Sequence, residues 1–162
     1  GKTLILPVRW NLATAKPVLG INPAEKLLTN GIRGSLKYSD FEWCSWTNND
    51  SVSFTIDLLK PEVLNTLTLG CITNNGMAIH KPASVKVEVS DDNSNFREAA
   101  MQSFTPEEIF REGNFIENLP LKLGGTQGRY VRVSAKGPGV CPASHVRSGQ
   151  ASRIFFDEVM LE

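Results

Sequence analysis

The fold of this chain is indicated first by its terminal stretch, Arg153-Ile154-Phe155-Phe156-Asp157-Glu158-Val159-Met160-Leu161-Glu162. Its apolar residues predict a strand, yet an acidic pair lies in the middle. Because Asp and Glu are poor strand formers, a strand that carries both needs a specific reason. The oxygen-rich turn Leu28-Thr29-Asn30-Gly31-Ile32-Arg33-Gly34-Ser35 offers one, since it could share a cation with Glu158.

Short strands with a period of two recur upstream of this stretch. Residues 51–58 and 84–90 alternate cleanly, with valine, isoleucine, leucine and phenylalanine on one face. Further strands are predicted at residues 64–72, 119–123, 130–134 and 154–161, with a hairpin return that starts at Phe96. The strand at residues 51–58 is expected to end at Lys60-Pro61-Glu62, before the strand at residues 64–72 begins. Helical signal is confined to single turns at residues 23–28 and 105–110, so the pattern predicts an all-β sandwich or barrel.

Length and charge narrow the functional class. The chain has 162 residues, which predicts one domain over residues 1–162. Lys and Arg together number 17, as do Asp and Glu, so no basic excess favours nucleic acid or an anionic membrane as partner. No apolar run approaches the roughly 20 residues of a membrane helix. Gly1 is not a natural start, so we expect a piece of a longer protein whose export signal lies elsewhere.

The cysteines predict neither a disulfide framework nor a metal site. Cys44, Cys71 and Cys141 are odd in number and lack the close spacing of a metal knuckle. We interpret them as small, semi-buried side chains, with one disulfide plus a free thiol as the alternative.

An ordered set of motifs spans almost the whole chain. Its members are Asn11-Leu12-Ala13-Thr14-Ala15-Lys16-Pro17-Val18, Leu28-Thr29-Asn30-Gly31, Phe54-Thr55-Ile56-Asp57-Leu58, Ser84-Val85-Lys86-Val87-Glu88-Val89-Ser90-Asp91-Asp92, Gly128-Arg129-Tyr130-Val131-Arg132-Val133 and Asp157-Glu158-Val159. In this order they resemble discoidin-like domains, also called F5/8 type C domains. Residues 28–35 and 141–145 most resemble the family 32 carbohydrate-binding modules at the C-terminus of bacterial family 20 glycoside hydrolases, the chitobiases or β-hexosaminidases.

This resemblance implies an antiparallel jelly-roll β-sandwich of the galactose-binding type, without catalysis of its own. It implies a secreted, periplasmic or cell-surface bacterial protein. The module would act in cis with a parent catalytic domain and bring it to glycans of the galactose, GalNAc or GlcNAc type. No serine elbow, HExxH motif or phosphate loop appears in the sequence to suggest an enzyme.

The resemblance also implies a structural Ca²⁺ between the turn at residues 28–35 and the terminal acidic pair. Oxygen atoms of side chains and backbone carbonyls are the ligands that Ca²⁺ takes. The alternative is a metal-free turn in which Glu158 accepts backbone N–H groups. The implied ligands are the side chains of Asn30, Ser35 and Glu158, with carbonyls of Leu28 or Arg33.

Three irregular segments, residues 38–50, 73–82 and 136–152, hold the residue types that bind sugars. Loops gather at the ends of a sandwich, where aromatic rings stack on sugars and fixed polar groups contact hydroxyls. We expect Trp46 to stack, Asn74, Asn75 and His80 to contact hydroxyls, and His145 and Arg147 to bind a hydroxyl or an acidic sugar. The alternatives are a packed lid for Trp46, turn chemistry at Asn74-Asn75-Gly76 and solvated loop for the last two. Trp10 and Trp43 are interpreted as core.

A second class of function stays open at this stage. The module could pack on its parent catalytic domain as a structural or docking domain that has lost sugar binding. Asn30 and Arg153 favour this, because the family has Asp and usually an aromatic residue at these positions. Phospholipid binding is a third option, but it would need exposed apolar spikes and a basic rim, and the loops here are polar.

Overall fold

The computed structural model describes residues 9–12, 28–29, 31–47 and 51–162. Within these residues the helical elements are a 3-10 turn at Asn75–Met77 and one short helix, α1 (Pro106–Ile109). None of the helices in this part of the chain is long and apolar enough to cross a membrane. The strands are β1 (Arg9–Leu12), β2 (Cys44–Thr47), β3 (Ser51–Asn74), β4 (Ser84–Ser90), β5 (Phe96–Ser103), β6 (Asn114–Lys136) and β7 (Arg153–Leu161).

All strand pairs are antiparallel, in the order β2-β7-β3-β6-β4-β5, and β1 pairs with β3. The long strands β3 and β6 pair along two halves that a register shift between Asp57 and Glu62 separates. One half is flanked by β1 and β4, and the other by β7. A single hydrophobic cluster contains Phe54 and Val133 from the first half, and Leu69 and Leu121 from the second. The two halves therefore face each other across one core, and the expected all-β jelly-roll sandwich is confirmed.

The interruption expected at Lys60-Pro61-Glu62 is a register shift within β3, not the end of a strand. Leu59 lies just before it with φ of 71°, a conformation that L-residues adopt at a cost. Its N–H donates to Asp57 Oδ1 at 2.8 Å, and Arg129 holds the same carboxylate with bonds of 2.8 and 3.0 Å. This clamp keeps the chain continuous while it passes from one sheet layer to the other. The segments 51–58 and 64–72 are therefore one strand, and 119–123 and 130–134 are likewise both part of β6.

The local patterns that predicted single elements agree with the structure where the residues are described. In β4, Val85, Val87 and Val89 are fully buried while the residues between them are half-buried. The turn expected at 105–110 is α1, closed by a capping box in which Thr105 Oγ1 accepts from the N–H of Glu108 at 3.2 Å. The turn expected at 23–28 lies outside the described residues except for Leu28.

The three cysteines are buried and free, as interpreted from the sequence. Cys44 on β2 and Cys71 on β3 both align with Phe156 of β7. One strand therefore separates them, which places their backbones about 10 Å apart, too far for a disulfide. Burial raises the pKa of the Cys71 thiol, so this cysteine behaves as an apolar core residue.

Candidate functional site

One end of the sandwich collects the ends of several strands. β3 ends at Asn74, β6 begins at Asn114 and β7 begins at Arg153, so the loops between the sheet layers meet here. They enclose a cleft of about 450 Å³. Its lining residues are Asn75, Phe110, Glu112, Pro142, Ser144, His145 and Val146.

Two histidines converge on one amide at this cleft. His80 Nε2 and His145 Nε2 each lie 2.8 Å from Asn75 Oδ1. The N–H of Arg147 donates to His145 Nδ1 at 2.9 Å, so a neutral His145 carries its proton on Nε2 and donates it to Asn75. With Asn75 Oδ1 fixed as an acceptor, His80 also donates from Nε2, and its Nδ1 accepts from the hydroxyl of Ser152 at 2.6 Å. These assignments follow from the hydrogen-bond network.

The network fixes how Asn75 faces the cleft. Its oxygen is occupied by two donors, whereas its Nδ2 has no partner among the described residues and is not buried. Asn75 therefore presents N–H donors to the cleft in one orientation. A polar group held this way loses little side-chain entropy when it binds a ligand oxygen.

His80 supports this arrangement from behind. Its ring is fully buried, so it reaches a ligand only through Asn75. Burial, with a smaller contribution from the neighbouring His145, lowers the pKa of His80 to about 4. His80 is therefore neutral near pH 7, which the donor and acceptor pattern of the network requires.

An aromatic residue that sequence reasoning missed lines the same cleft. Phe110 directly follows α1, is half-buried, and packs edge-to-face on His80 with ring centroids 4.8 Å apart. Its only signal in the sequence was an aromatic residue at the end of a capped turn, a position that is equally typical of core. Glu112, Ser144 and Val146, which is 82% exposed, were missed as well.

Trp46 is not at this cleft, and the expectation that its ring stacks on a sugar is corrected. It is 1% exposed, and its ring lies 5.7 Å from that of Phe156 between centroids. The cause is β2, whose alternation directs Cys44 and Trp46 into the same core cluster. Trp43 is buried as interpreted, against a glycine, Gly34, that leaves no room for a Cβ. The side chain of Trp10 lies outside the description.

The other expected site residues lie beside the cleft without lining it. Asn74 ends β3, and its N–H and carbonyl pair with Ile79 at 2.9 and 3.1 Å. Arg147 donates from Nε to the carbonyl of Gly76 at 2.6 Å and from Nη1 to Gln150 at 3.4 Å. Its guanidinium thus fastens the loop at 142–150 to the Asn75–Met77 turn. The structure brings Asn75, His80, His145 and Arg147 together in one network.

A second arrangement joins the turn at residues 28–35 to β7. Gly31 N–H donates to Glu158 Oε2 at 3.0 Å, while Oε1 of the same carboxylate is buried and has no partner among the described residues. Burial raises the pKa of Glu158 to about 8, with the Gly31 N–H acting in the opposite direction. An ionised Glu158 is therefore costly here without a cation beside it.

Residues expected as further cation ligands have mixed surroundings. The carbonyl of Leu28 accepts the N–H of Val159 at 2.7 Å and keeps a second lone pair. The Arg33 side chain forms an ion pair with Asp157, with Nε 2.8 Å from Oδ2. Gly70 lies against the same carboxylate, since a Cβ at this position would overlap it. Ser35 is exposed, and its carbonyl accepts from Trp43 Nε1 at 2.9 Å. Asn30 lies outside the described residues, which contain no group of three or more His, Cys, Asp or Glu suited to a metal. Glu158 and Leu28 fit a hard cation, and Ser35 offers it only its side chain.

A jelly-roll sandwich with a polar cleft at one loop end defines a class of ligand-binding β-modules. The sequence model of the F5/8 type C domain matches residues 16–148, and the chain belongs to this family. A search of curated proteins finds no match.

Solved structures share the fold at low sequence identity. The C-terminal domain of a chitobiase from Bacteroides fragilis superposes with a TM-score of 0.58 at 16% identity, covering 99% of this chain and 97% of that one. CpGH89CBM32-5 from Clostridium perfringens, solved with GalNAc-β-1,3-galactose, gives 0.58 at 16% identity over 96% and 94%. The CBM32 of AlyQ, solved with 4,5-unsaturated mannuronic acid, gives 0.55 at 18% identity over 95% and 93%.

Proposed function

We propose that this chain is a non-catalytic carbohydrate-binding module whose site is the cleft around Asn75. The observation that carries the proposal is the Asn75 amide, oriented by His80 and His145 so that its N–H groups are offered to the cleft. Sugar hydroxyls and ring oxygens are the acceptors that such a donor recognises. Phe110 supplies an apolar ring beside it, and sugars commonly combine polar contacts with an aromatic face.

The ligands we propose are terminal sugars of the galactose, GalNAc or GlcNAc type. Support comes from a module of the same fold that was solved with GalNAc-β-1,3-galactose. Single sugars should bind weakly, since an open cleft buries little area and immobilising the ligand costs entropy.

We further propose that the module serves a parent glycoside hydrolase of the chitobiase or β-hexosaminidase type, secreted or at the bacterial surface. The likeness to a chitobiase C-terminal domain supports this parent. A tethered module acts by raising the effective concentration of the catalytic domain at its glycan. Among the described residues that line the cleft, the only carboxylate is Glu112, whereas glycoside hydrolysis in most families needs two.

A structural Ca²⁺ is part of the proposal. Glu158 would bind it through its partnerless oxygen, with the carbonyl of Leu28 or Arg33 and the side chains of Asn30 and Ser35 completing the oxygen set. The ion would supply the positive charge that lets Glu158 ionise. Its role would be to tie the turn at 28–35 to β7.

A glycan array with the 162-residue chain, run with Ca²⁺ and with chelator, tests the module. We expect binding to terminal galactose-type or hexosamine sugars, lost in Asn75→Ala and His145→Ala and kept in Gln102→Ala, whose side chain is exposed on β5. Silence across the array at high protein concentration, by a folded chain, would contradict sugar binding. That result would favour the alternative function, a docking module that packs on its parent catalytic domain.

A further inference from the structure

The cleft carries an uncompensated negative charge. The carboxylate of Glu112 lines it, is exposed, and makes no ion pair or hydrogen bond among the described residues. Its neighbour in sequence, Arg111, packs over the ring of Phe115 at 4.7 Å and is not part of the lining. A charged ligand that enters the cleft therefore meets one acidic group directly.

The basic groups near the cleft face a ligand less directly than Glu112 does, although the guanidinium of Arg147 keeps its charge because its partners are neutral. Arg147 is held by the carbonyl of Gly76, by Gln150 and by Met77 Sδ, and it does not line the cleft. His145 accepts the N–H of Arg147 at Nδ1 and donates from Nε2 to Asn75 Oδ1, so both ring nitrogens are engaged within the network. His80 is buried and neutral near pH 7, since its pKa is lowered to about 4.

We propose that Glu112 is a specificity-determining residue that makes the cleft select sugars by charge. It rejects anionic sugars such as uronates and sialic acids, and it admits neutral and amine-bearing sugars. This inference rests on the proposed function of the cleft, and it removes the acidic sugar from the ligands considered for His145 and Arg147. It also separates this chain from the fold neighbour that was solved with an unsaturated mannuronic acid.

The physical basis is repulsion between like charges in a partly hydrated cleft. Two charges a few ångströms apart near a protein surface interact through an effective dielectric well below that of water, and salt weakens the effect. A penalty of about two- to five-fold in affinity is expected for a carboxylate-bearing sugar at 0.1 M ionic strength, because Glu112 is exposed.

The test uses sugars of one ring configuration that carry different charges, with the uronic acid altered at C6 and the amino sugar at C2. NMR titrations of the chain would compare galactose, galacturonic acid and galactosamine, and the corresponding sets in gluco and manno configuration. The readout is the affinity for the uronic acid divided by that for the neutral sugar. We expect this ratio to be about 0.2–0.5 for the unmodified chain and to rise about two- to five-fold in Glu112→Gln. Glu107→Gln is the matched control, since Glu107 is exposed on α1 but does not line the cleft.

The outcomes separate the inference from the function beneath it. A ratio near one in the unmodified chain, or a ratio that Glu112→Gln leaves unchanged, would overturn charge selection while sugar binding stands. A ratio that rises equally in Glu107→Gln would also overturn it, because the effect would then come from net charge alone. Binding of no sugar in any set would overturn the proposed function and this inference together.

Discussion

Asn75 owes part of its fixed orientation to a residue that cannot touch a ligand. His80 is fully buried, yet its Nε2 provides one of the two donors that hold Asn75 Oδ1. With one donor lost, the amide can rotate and offer its oxygen to the cleft in part of the population. One hydrogen bond contributes about 0.5–1.5 kcal/mol net, and 1.4 kcal/mol corresponds to a factor of ten.

His80→Ala should therefore weaken glycan binding by roughly three- to ten-fold, measured by titration with whichever sugar the array selects. His80→Gln can still donate to Asn75 Oδ1, so it should recover much of the affinity. A purely structural role would predict that both variants bind in proportion to the fraction folded, which thermal unfolding measures. Equal affinity in His80→Ala and the unmodified chain would contradict a positioning role.

At the residue scale, the sequence predicted the polar members of this network. His, Asn and Arg in the loops at one end of a sandwich are seldom needed for core packing, so they indicate a binding site. The same reasoning misplaced Trp46 because Cys44-Ser45-Trp46-Thr47 is too short and too polar to predict as a strand. Only the pairing of β2 with β7 shows that its alternation directs Trp46 inward. Phe110 was missed for the opposite reason, since a single aromatic residue beside a helical turn is equally typical of core.

At the scale of elements, the sequence predicted β4 from its period-two alternation and β7 from its apolar residues, because each signal is local. The continuity of β3 and β6 could not be predicted in the same way. Gly124 and Gly125 have positive φ, and Pro61 follows the strained Leu59, so both segments look like ends of strands. Pairing between β3 and β6 and the Asp57–Arg129 clamp keep both strands continuous across these positions, and both contacts join residues that are distant in sequence.

The contact between β7 and the turn at residues 28–35 predicts an unusual dependence of stability on pH. The pKa of Glu158 is raised to about 8 in the folded chain, against about 4.5 for an exposed glutamate. The folded state thus binds more protons than the unfolded state between these values, and stability falls as pH rises through the window. The lowered pKa of His80 acts in the other direction, but only below about pH 6.5.

Between pH 6.5 and 8.5, with chelator present, the free energy of unfolding in urea should therefore decrease as pH rises. Glu158→Gln should remove most of this slope, because glutamine does not titrate. Added Ca²⁺ should raise the stability of the unmodified chain at pH 8.5 and leave Glu158→Gln much less affected. A slope that Glu158→Gln preserves would contradict the assignment of the titration, and no response to Ca²⁺ would contradict the metal site alone.

For the whole molecule, the sandwich separates two tasks by position. The core and the Asp57–Arg129 clamp hold the layers, while the cleft occupies loops at the end where β3 stops and β6 and β7 start. Substitutions of exposed cleft residues such as Glu112 and Val146 should therefore alter binding with little effect on folding, because they remove few core contacts. Under the tethering that we propose, a weak site next to a catalytic domain would act by raising local concentration.

In the parent hydrolase that we propose, Asn75→Ala should lower the rate on polymeric or surface-bound glycan by roughly ten-fold, a modest part of the gain that tethering can provide. The same variant should leave kcat/KM unchanged on a small soluble glycoside, because such a substrate reaches the catalytic domain without the module. Gln102→Ala is the control for both substrates. A module that only supports its catalytic domain would behave differently, since any disturbance of packing would change both rates together. Equal losses on the two substrates would therefore favour docking over targeting, and no loss on either would contradict both roles for this cleft.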